Sequence, residues 1–389
     1  MPALPSSLIS SLSCAPALTV PETAGGLPAV LAGLPDPRAR RGVRHQVAVV
    51  VTAAVCAVVA GYRSYTAIAE WVADAPDTTA LALGMTPDRR PSEAMIRRLL
   101  QAMDPQLLTT AIGVWLASRA TSGTSSGRRA IAVDGKALRG SRTTDTAARH
   151  VLAACDQASG VVLGSTNVDG KTNEITRFAP LLGQIGDLRD TVITADAMHC
   201  QREHVAYLAE RGAHWILTVK GNQPHLHQQL ATLPWKAVPD AGRDTDRGHG
   251  RREIRTLKIL TISTGIDFPH ANQALQIRRR RRRIDEPKRF TTETVYAITD
   301  LRVHQAKPAQ LAGWIRGHWS IENKIHWVRD VTYDEDRSQI RTGAGPEIMA
   351  ALRNAAIGAL RTAGITNIAA GTRHHARDSR RPLALLGII

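Results

Sequence analysis

Features of secreted and membrane proteins are scarce in this sequence. The longest apolar run spans residues 47–60, whereas a membrane-spanning helix needs about 20 residues, so the run predicts a buried helix. Residues 1–21 contain no Lys or Arg, which argues against a signal peptide. Cysteines are few and form no CxxC pair, so neither a disulfide scaffold nor a structural zinc site is expected. They are Cys14, Cys56, Cys155 and Cys200. These absences favour the reducing cytoplasm.

Acidic and aromatic residues are also in short supply. The chain has 34 Asp and Glu against 50 Lys and Arg, which gives a net charge of +16 and a pI of about 10.5. A surplus of this size favours a polyanionic partner, and nucleic acid before a membrane surface. Aromatic residues make up 4% of the chain. The 389 residues are 43% hydrophobic, which is enough for one large domain or two ordinary ones with a real core.

Changes in composition and periodicity divide the chain into segments. Residues 1–36 are rich in Pro, Ser, Gly and Ala and predict an irregular lead-in. Helical periodicity without strand alternation predicts an all-α N-terminal domain over residues 37–119. A Gly/Ser/Thr-rich linker follows over residues 120–128. Beyond it we predict an α/β core in two parts, 129–234 and 301–365, separated by a β-rich insertion over 235–300 and followed by a basic tail over 366–389.

The predicted core has a recognisable order of elements. Residues 129–234 predict β-β-β-α-β-α-β, in which a hairpin meander precedes right-handed crossovers to parallel strands. Helix resumes at Pro308, a residue suited to a first helical turn, and reaches about Val331. The remaining predicted elements are insertion strands at 255–262, 274–278 and 293–299, and a helix at 346–363. The fold class is therefore α/β.

Two acids occupy equivalent places in this pattern. Asp134 follows the strand AIAV, and Asp196 follows the strand VITA. An open α/β sheet places its sites beyond the carboxyl ends of its strands, where a rigid scaffold holds each side chain. An Asp after a strand is also a common turn residue, so neither acid is decisive alone.

A third acid, Glu322, lies in the segment GHWSIENKIHW. Helical spacing places polar side chains on its face and predicts that nearby tryptophans pack this helix inward. These neighbours are His318, Trp319, His326 and Arg329. Competing acids are Glu174 and the later group Asp330, Asp334, Glu335 and Asp336. Glu322 is preferred because it lies mid-helix, whereas residues 334–336 are predicted to be solvated beyond the helix end.

Three converging carboxylates favour hard, oxygen-ligated divalent metals. Water and substrate phosphate would complete the shells of two Mg²⁺ ions, which is the arrangement for in-line phosphoryl transfer. Zinc is disfavoured, because His199, Cys200 and His204 lack a further ligand at suitable spacing.

Five motifs resemble those of the DDE transposases of bacterial insertion sequences. They are IAVDGKALRGS (131–141), KTNEI (171–175), TADAMHCQ (194–201), TVKGNQ (218–223) and GHWSIENKIHWVRDVTYDED (317–336). The resemblance is to the subgroup with a first acid in an Asp-Gly-Lys motif and a third acid in a His-Trp-x-Ile-Glu-Asn motif. It covers about residues 36–365.

This resemblance implies a fold and a function. The core would be ribonuclease-H-like, and Asp134, Asp196 and Glu322 would be the catalytic and metal-binding acids. They would hold two Mg²⁺ ions, for which Mn²⁺ can substitute. The reaction would be cleavage at the ends of the element and joining of the 3′ hydroxyl to target DNA. The partners would be transposon ends and target DNA, bound by a synaptic homodimer in the cytoplasm at the nucleoid, with residues 37–119 recognising the ends.

The sequence departs from the family around the third acid. Related transposases often carry Tyr, Arg, Glu and Lys in this order, separated by two, three and six residues. The corresponding residues here are Ile315, His318, Glu322 and Arg329. The last charge is kept, the Tyr is absent and the Arg is replaced by His, so Arg316 is the candidate for the missing guanidinium.

Several cations are predicted to contact DNA. Lys136 and Arg139 follow the first acid and are assigned to phosphates beside the metals, with a solvated hairpin edge as the alternative. Lys220 and Asn222 belong to KGNQP, where Asn222 can cap a helix and the exposed N–H groups make an anion site. Around the third acid, the contacts are Arg316, His318 and Arg329. The run of six arginines at 278–283, including Arg278, Arg279 and Arg280, is interpreted as a sequence-independent phosphate clamp, with a solvated loop as the alternative.

Two other functions stay open at this point. One is a nuclease that uses the same chemistry but only hydrolyses DNA. The other is a non-catalytic DNA-binding descendant of a transposase, against which the presence of all three acids speaks. Inverted repeats flanking the gene, with short direct duplications outside them, would favour the transposase.

Overall fold

A mixed sheet of nine strands organises the protein. The computed structural model describes residues 26–41, 43–119, 127–168, 174–248, 250–286 and 289–389. Its strands are β1 (Ala130–Leu138), β2 (Arg149–Asp156), β3 (Val162–Val168), β4 (Val192–Ala195), β5 (His214–Val219), β6 (Gly242–Gly248), β7 (Arg251–Thr261), β8 (Gln273–Arg283) and β9 (Thr291–Thr299). Their order in the sheet is β3-β2-β1-β4-β5-β9-β8-β7-β6.

Helices precede, cover and follow this sheet. The N-terminal ones are α1 (Leu27–Leu31), α2 (Val47–Val59), α3 (Tyr65–Asp74), α4 (Asp77–Ala82), α5 (Glu93–Ala102) and α6 (Pro105–Arg119). Those between the strands are α7 (Phe178–Gly183), α8 (Arg202–Glu210) and α9 (Pro224–Thr232). The last group is α10 (Pro308–His318), α11 (Trp327–Val331), α12 (Gly345–Thr362), α13 (Ile368–His375) and α14 (Arg380–Leu385).

The first five strands match the predicted core order. β1, β4 and β5 are parallel neighbours, and β2 is antiparallel to both β1 and β3. All four residues of β4 are buried, as expected for a strand covered on both faces. This arrangement fits the ribonuclease-H-like core that the sequence motifs imply.

Successive residues at the start of β1 and β4 enter two different hydrophobic clusters. Ala130 and Val192 pack with Leu311 and Trp314 of α10, whereas Ile131 and Ile193 belong to the main core. Because successive side chains of a strand point to opposite faces, α10 marks one face of the sheet. Even-numbered residues of β1 therefore lie on the α10 face.

The β-rich segment extends this same sheet. β9 pairs antiparallel with β5, and β8, β7 and β6 follow outward. It is thus continuous with the core sheet rather than a separate subdomain. β6 was not predicted from the sequence, and the arginine run lies in β8 rather than in a solvated loop.

The separate all-α domain predicted for residues 37–119 is not confirmed. Its described residues do form α2–α6, but their core is continuous with that of the sheet and of α12. α2 is buried along almost its whole length, as expected of a helix that is apolar all round. Within the described residues, no helix is long and apolar enough to cross a membrane.

Both ends of the described chain are more ordered in secondary structure than predicted. Part of the predicted irregular lead-in forms α1, whose Leu27 and Leu31 are fully buried; residues 1–25 lie outside the described residues. The predicted basic tail forms α13 and α14, and Leu383 and Leu386 are buried. The Leu27 N–H donates to the Leu386 carbonyl at 3.0 Å, so the two ends are tied together. Most of the predicted linker, residues 120–126, also lies outside the described residues.

Candidate active site

Asp134 and Asp196 lie side by side at the carboxyl ends of β1 and β4. The parallel pairing of these strands ends with Val133 opposite Ala195, so each acid is the residue that follows the last parallel pair. β1 continues to Leu138 because β2 still pairs with it. Beyond β4, Asp196 begins a 3₁₀ turn and its Oδ1 accepts a hydrogen bond from the Met198 N–H at 3.0 Å. The equivalence expected from the sequence is thus reproduced by the strand register.

Glu322 reaches Asp134 from a π-helical turn. α10 ends at His318, and residues Glu322–His326 form a π-helix that continues into α11. Such turns add a residue to a helical turn and are frequent at functional sites. His326 Nδ1 lies 3.6 Å from Asp134 Oδ2 and 3.5 Å from Glu322 Oε2. The turn therefore directs both Glu322 and His326 toward the first acid.

Contacts from outside the helix hold this π-turn. Lys324 Nζ donates to the carbonyls of Gln157 at 3.0 Å and Ala158 at 3.2 Å. Arg361 Nη2 donates to the Lys324 carbonyl at 2.9 Å. Because a π-turn leaves the regular helical hydrogen-bond ladder, these bonds stabilise a segment that would otherwise favour an α-helix.

The carboxyl groups of Asp134 and Glu322 have pKa values that shift in opposite directions. Burial, together with the Glu322 carboxylate, raises the pKa of Asp134 to about 8. The imidazole of His326 lowers the pKa of Glu322 to about 2. These shifts favour the protonated form of Asp134 and the ionised form of Glu322. Two carboxyl groups held this close resist simultaneous ionisation, and a bound cation removes that repulsion.

Three described side chains offer ligand atoms that suit a divalent cation. Asp134, Glu322 and His326 each present one such atom, and these atoms lie within 4.8 Å of one another. His326 is buried, and its Nε2 finds no hydrogen-bond partner within the described residues. Asp196 lies outside this group of three but is near enough to raise the pKa of Asp134. The two carboxylates, with Asp196 beside them, fit the oxygen ligands that Mg²⁺ prefers.

His326 was not predicted as a site residue. The sequence signal was its i+4 spacing from Glu322, which placed the two on one helical face. Such spacing alone does not distinguish a residue that contacts the acid from one that points into the core. The π-turn and the burial of the imidazole decide the matter, and neither is visible in the sequence.

Glu174, the rival acid, lies on the opposite face of β1. His150 Nε2 is 2.6 Å from Glu174 Oε1, and His199 Nε2 is 3.4 Å from its Oε2. Although burial opposes the shift, these two imidazoles lower the pKa of Glu174 to about 2. A Cβ at Gly135 would overlap this carboxylate. Since Gly135 and Asp134 face opposite ways, Glu174 supports β1 from behind and does not join Asp134.

The cations after the first acid are paired with carboxylates. Lys136 Nζ lies 2.7 Å from Asp330 Oδ2 and its side chain is largely buried. Arg139 makes only a 3.4 Å contact with Asp336, and 77% of its side chain is exposed. Arg139 is thus available to a phosphate, whereas Lys136 would first have to leave Asp330.

Lys220 and Asn222 occupy the loop after β5. Lys220 is exposed. The Asn222 amide donates to the Ala197 carbonyl at 2.6 Å, which ties this loop to the turn that holds Asp196. The expected capping by Asn222 is wrong, because the residue that precedes α9 is Gln223. Pro224 does occupy the first turn of α9, as predicted.

The predicted cations around Glu322 have three different environments. Arg316 is half exposed and lies 3.0 Å from Asp244 of β6. His318 Nδ1 is 3.2 Å from the Thr194 hydroxyl, and burial lowers its pKa although Asp196 opposes the shift. Arg329 is only 1% exposed. The predicted DNA contact by Arg329 is therefore wrong, because its guanidinium binds Glu335 inside the protein.

Two further expectations about this region are wrong. Trp319 and Trp327 are each 57% exposed, so they do not anchor the helix, and Trp314 alone of the three tryptophans packs against the sheet. Glu335 is buried rather than solvated, with Arg329 Nη2 at 2.7 Å and Arg353 Nη1 at 2.9 Å. This ion-pair network joins the segment after α11 to α12 and fixes the end of the helix that carries Glu322.

Fold and site together define an α/β protein with acids gathered at the carboxyl ends of adjacent parallel strands and opposed by a helix. Residues 125–358 match the family described as transposase DDE domain, and residues 29–116 match the family of regions associated with it. The first match covers more than half of the chain. The chain therefore belongs to the transposase DDE domain family.

Individual proteins show the same similarity. "Putative transposase YncI" of Escherichia coli O157:H7 is 29% identical over 341 residues, which are 84% of this chain and 85% of that protein. "H repeat-associated putative transposase YhhI" of Escherichia coli K12 is 29% identical over 343 residues, 84% of this chain and 88% of that protein. Among solved structures, the piggyBac transposase synaptic complex with hairpin DNA aligns with a TM-score of 0.41 and 10% identity, over 92% of this chain and 76% of that one. A likeness at that level supports no conclusion about this chain.

Proposed function

We propose that the protein is a DNA transposase that cleaves DNA at the ends of its element and joins the freed 3′ hydroxyl to target DNA. Water attacks the first phosphodiester and leaves a 3′ hydroxyl on the element. That hydroxyl then attacks a target phosphodiester, so one bond forms as another breaks and no oxidant or energy source is required. Asp134, Asp196 and Glu322 are the proposed catalytic residues.

The convergence of Asp134 and Glu322 is the observation that carries this proposal. They are 188 residues apart in the sequence, yet the ligand atoms that they present with His326 lie within 4.8 Å of one another, and Asp196 is near enough to raise the pKa of Asp134. Burying like charges together is costly, and divalent cations bound between the carboxylates would offset that cost. Two Mg²⁺ ions bound here would stabilise charge on the attacking and leaving oxygens of the phosphodiester, and Mn²⁺ would substitute for them.

Other side chains of this region are assigned supporting roles. His326 positions Glu322, and the Thr194 hydroxyl orients His318 beside Asp196. Arg139, Lys220 and Arg316 are proposed to bind phosphates of the cleaved strand, because each is exposed and lies close in sequence or through loop contacts to one of the acids. Asn222 fixes the turn after Asp196 and acts through it.

The DNA partners extend the same proposal. The element's ends and the target are both double-stranded polyanions, which suits the net charge of +16. Residues 37–119 are proposed to recognise the ends, and a homodimer is proposed to bring two ends together at the nucleoid. The domain boundaries predicted from the sequence also remain a proposal.

Cleavage and joining on DNA that carries the gene with its native flanks test the function. The full-length protein is incubated with this DNA, a target plasmid and Mg²⁺, and 3′ ends joined to the target are sequenced. Asp134→Asn, Asp196→Asn and Glu322→Gln should abolish joining while DNA binding is kept, since the change removes negative charge only. Glu210→Gln, an exposed carboxylate change on α8, is the matched control and should retain activity.

The outcomes separate the alternatives. Joined products that depend on the three acids support the transposase. Cleavage without any joining would indicate a hydrolytic nuclease. Binding of DNA without cleavage by the folded wild type, in Mg²⁺ and in Mn²⁺, would indicate a non-catalytic descendant.

A further inference from the structure

The arginine run is a β-strand whose side chains alternate between two faces. Residues 278–283 belong to β8, which pairs antiparallel with β7 and β9 without a bulge. Leu275 and Ile277 of the same strand pack in the cluster that contains α10. Odd-numbered arginines therefore lie on the α10 face and even-numbered ones on the other face.

The odd-numbered arginines are engaged with acids. Arg279 Nε lies 2.7 Å from Glu253 Oε1, and Arg281 Nη2 lies 3.1 Å from Glu293 Oε2. Arg283 Nη2 lies 2.6 Å from Asp285 Oδ2. The prediction that Arg279 belongs to the phosphate clamp is therefore wrong, because the buried carboxylate of Glu253 already binds its guanidinium.

Two of the three even-numbered arginines lie against an aromatic ring. The guanidinium carbons of Arg280 and Arg282 lie 4.6 Å and 5.2 Å from the centre of the Phe290 ring. Cation–π contacts of this kind restrain a guanidinium without neutralising it. Arg278 and Arg280 are exposed to solvent.

Neighbouring strands add more positive charge to the same face. In one row across β6, β7 and β8, Arg252 lies between Arg247 and Arg282. In another row, Thr256 lies between Arg243 and Arg278. We call this surface the arginine face; it consists of Arg243, Arg247, Arg252, Arg278, Arg280 and Arg282. Thr245, Thr292 and Thr294 lie among them by the same register.

Charge is segregated between the two faces of this part of the sheet. In the described residues of β6–β9, the acids at 244, 246, 253 and 293 all lie on the α10 face by register, together with the arginines at 251, 255, 279, 281 and 283. The arginine face carries six arginines and, in these strands, no acid. Buried Ile254 lies between Arg280 and Thr245 on this face. The Arg and Thr side chains around it suit phosphate oxygens, and contacts to phosphate carry no sequence information.

We propose that the arginine face binds the phosphate backbone of double-stranded DNA without sequence preference, as a contact separate from the acid cluster. Asp134 lies on the α10 face, so DNA on the arginine face is not the phosphodiester at the acids. The proposal deepens the proposed function, since it names how a transposase would hold duplex DNA away from the cleavage site. Only alternate arginines of the run take part.

Two triple variants of the full-length protein test this with the same loss of charge. Arg278→Ser/Arg280→Ser/Arg282→Ser changes the arginine face, and Arg279→Ser/Arg281→Ser/Arg283→Ser changes the paired side chains. Affinity for an unrelated 30-base-pair duplex is measured between 50 and 200 mM salt. Each lost phosphate contact lowers the slope of log K against log salt by about 0.9, so the first variant should lose up to about 2.7 in slope. The second should keep the wild-type slope.

Folding and partner identity are controlled separately. Thermal unfolding is measured for both variants, and Arg247→Ser/Arg252→Ser tests the same face from other strands if either triple variant unfolds; it should lose up to about 1.8 in slope. Equal slope losses in the two triple variants, or an unchanged slope in folded variants of the arginine face, would overturn the proposal. So would equal or tighter binding of an RNA duplex of the same length. Asp134→Asn should bind duplex with the wild-type slope, so loss of transposase activity does not decide this test.

Discussion

The backbone of Gly135 lies directly against the carboxylate of Glu174. A Cβ built at Gly135 would overlap Glu174 Oε1 and lie 2.5 Å from His150 Nε2. His150 and His199 hold that carboxylate in place. The Asp-Gly pair of the first motif therefore has a steric cause: the residue after Asp134 must have no side chain so that β1 can rest on the His150–Glu174–His199 cluster.

Gly135→Ala should displace this cluster and, with it, the strand that carries Asp134. Overpacking at a buried site costs about 1–3 kcal/mol of unfolding free energy, and we expect strand joining to fall more steeply than duplex binding. Gly186→Ala is the control, since among the described residues a Cβ there meets nothing within 4 Å. Urea unfolding and the joining assay check both effects; wild-type joining by Gly135→Ala would show that the close contact does not position Asp134.

Glu335→Gln should destabilise the protein strongly. The change leaves Arg329 and Arg353 as buried guanidinium groups without a counter-charge, since they are 1% and 2% exposed. Breaking a buried ion pair in this way costs about 3–5 kcal/mol. Glu293→Gln removes a half-exposed carboxylate from Arg281 and should cost about 1 kcal/mol or less. Denaturant unfolding of the two variants should differ accordingly, and equal losses would contradict a structural role for the buried network.

The pKa of Glu335 predicts how the unfolding free energy depends on pH. Burial acts to raise the pKa of Glu335, but Arg329 and Arg353 outweigh it and lower the pKa from 4.5 to about 2. A carboxyl group with a lower pKa in the folded chain adds stability above its unfolded pKa, and that stability is lost as pH falls through the folded pKa. The difference in unfolding free energy between wild type and Glu335→Gln should therefore narrow between pH 5 and pH 3. A constant difference over that range would exclude this origin of the stability.

The strand order and the strand-end acids could be predicted from the sequence because both depend on local patterns. Asp134 and Asp196 follow short apolar strands, and parallel pairing then places them together. The roles of Arg329 and Glu335 could not be predicted, since their burial depends on Arg353 of a distant helix. The exposure of Trp327 was missed for a related reason, because the prediction assumed a regular helical period through Glu322–His326, where the structure has a π-turn.

The insertion illustrates a second limit. Six consecutive arginines indicate positive charge, but only strand pairing divides them between two faces. Glu253 and Glu293 come from neighbouring strands and lie beside the odd-numbered arginines through register alone. Because all six residues of the run are arginine, the sequence shows no alternation of residue types. It therefore could not indicate which arginines pair with acids.

Divalent-cation binding should strengthen as pH rises through about 8. The proton on Asp134, whose pKa is raised to about 8 by burial and by Glu322, must leave before the carboxylate can act as a ligand. Below that pH the apparent affinity should fall by up to about tenfold per pH unit. We expect Mg²⁺ to raise the unfolding temperature more at pH 8.5 than at pH 6.5, and calorimetry at pH 7 to record release of a proton on binding. Asp134→Asn should abolish both effects, whereas Glu210→Gln should leave them unchanged. Equal stabilisation by Mg²⁺ at the two pH values in wild type would mean that the ion binds without displacing this proton, and Asp134 would then not be its ligand.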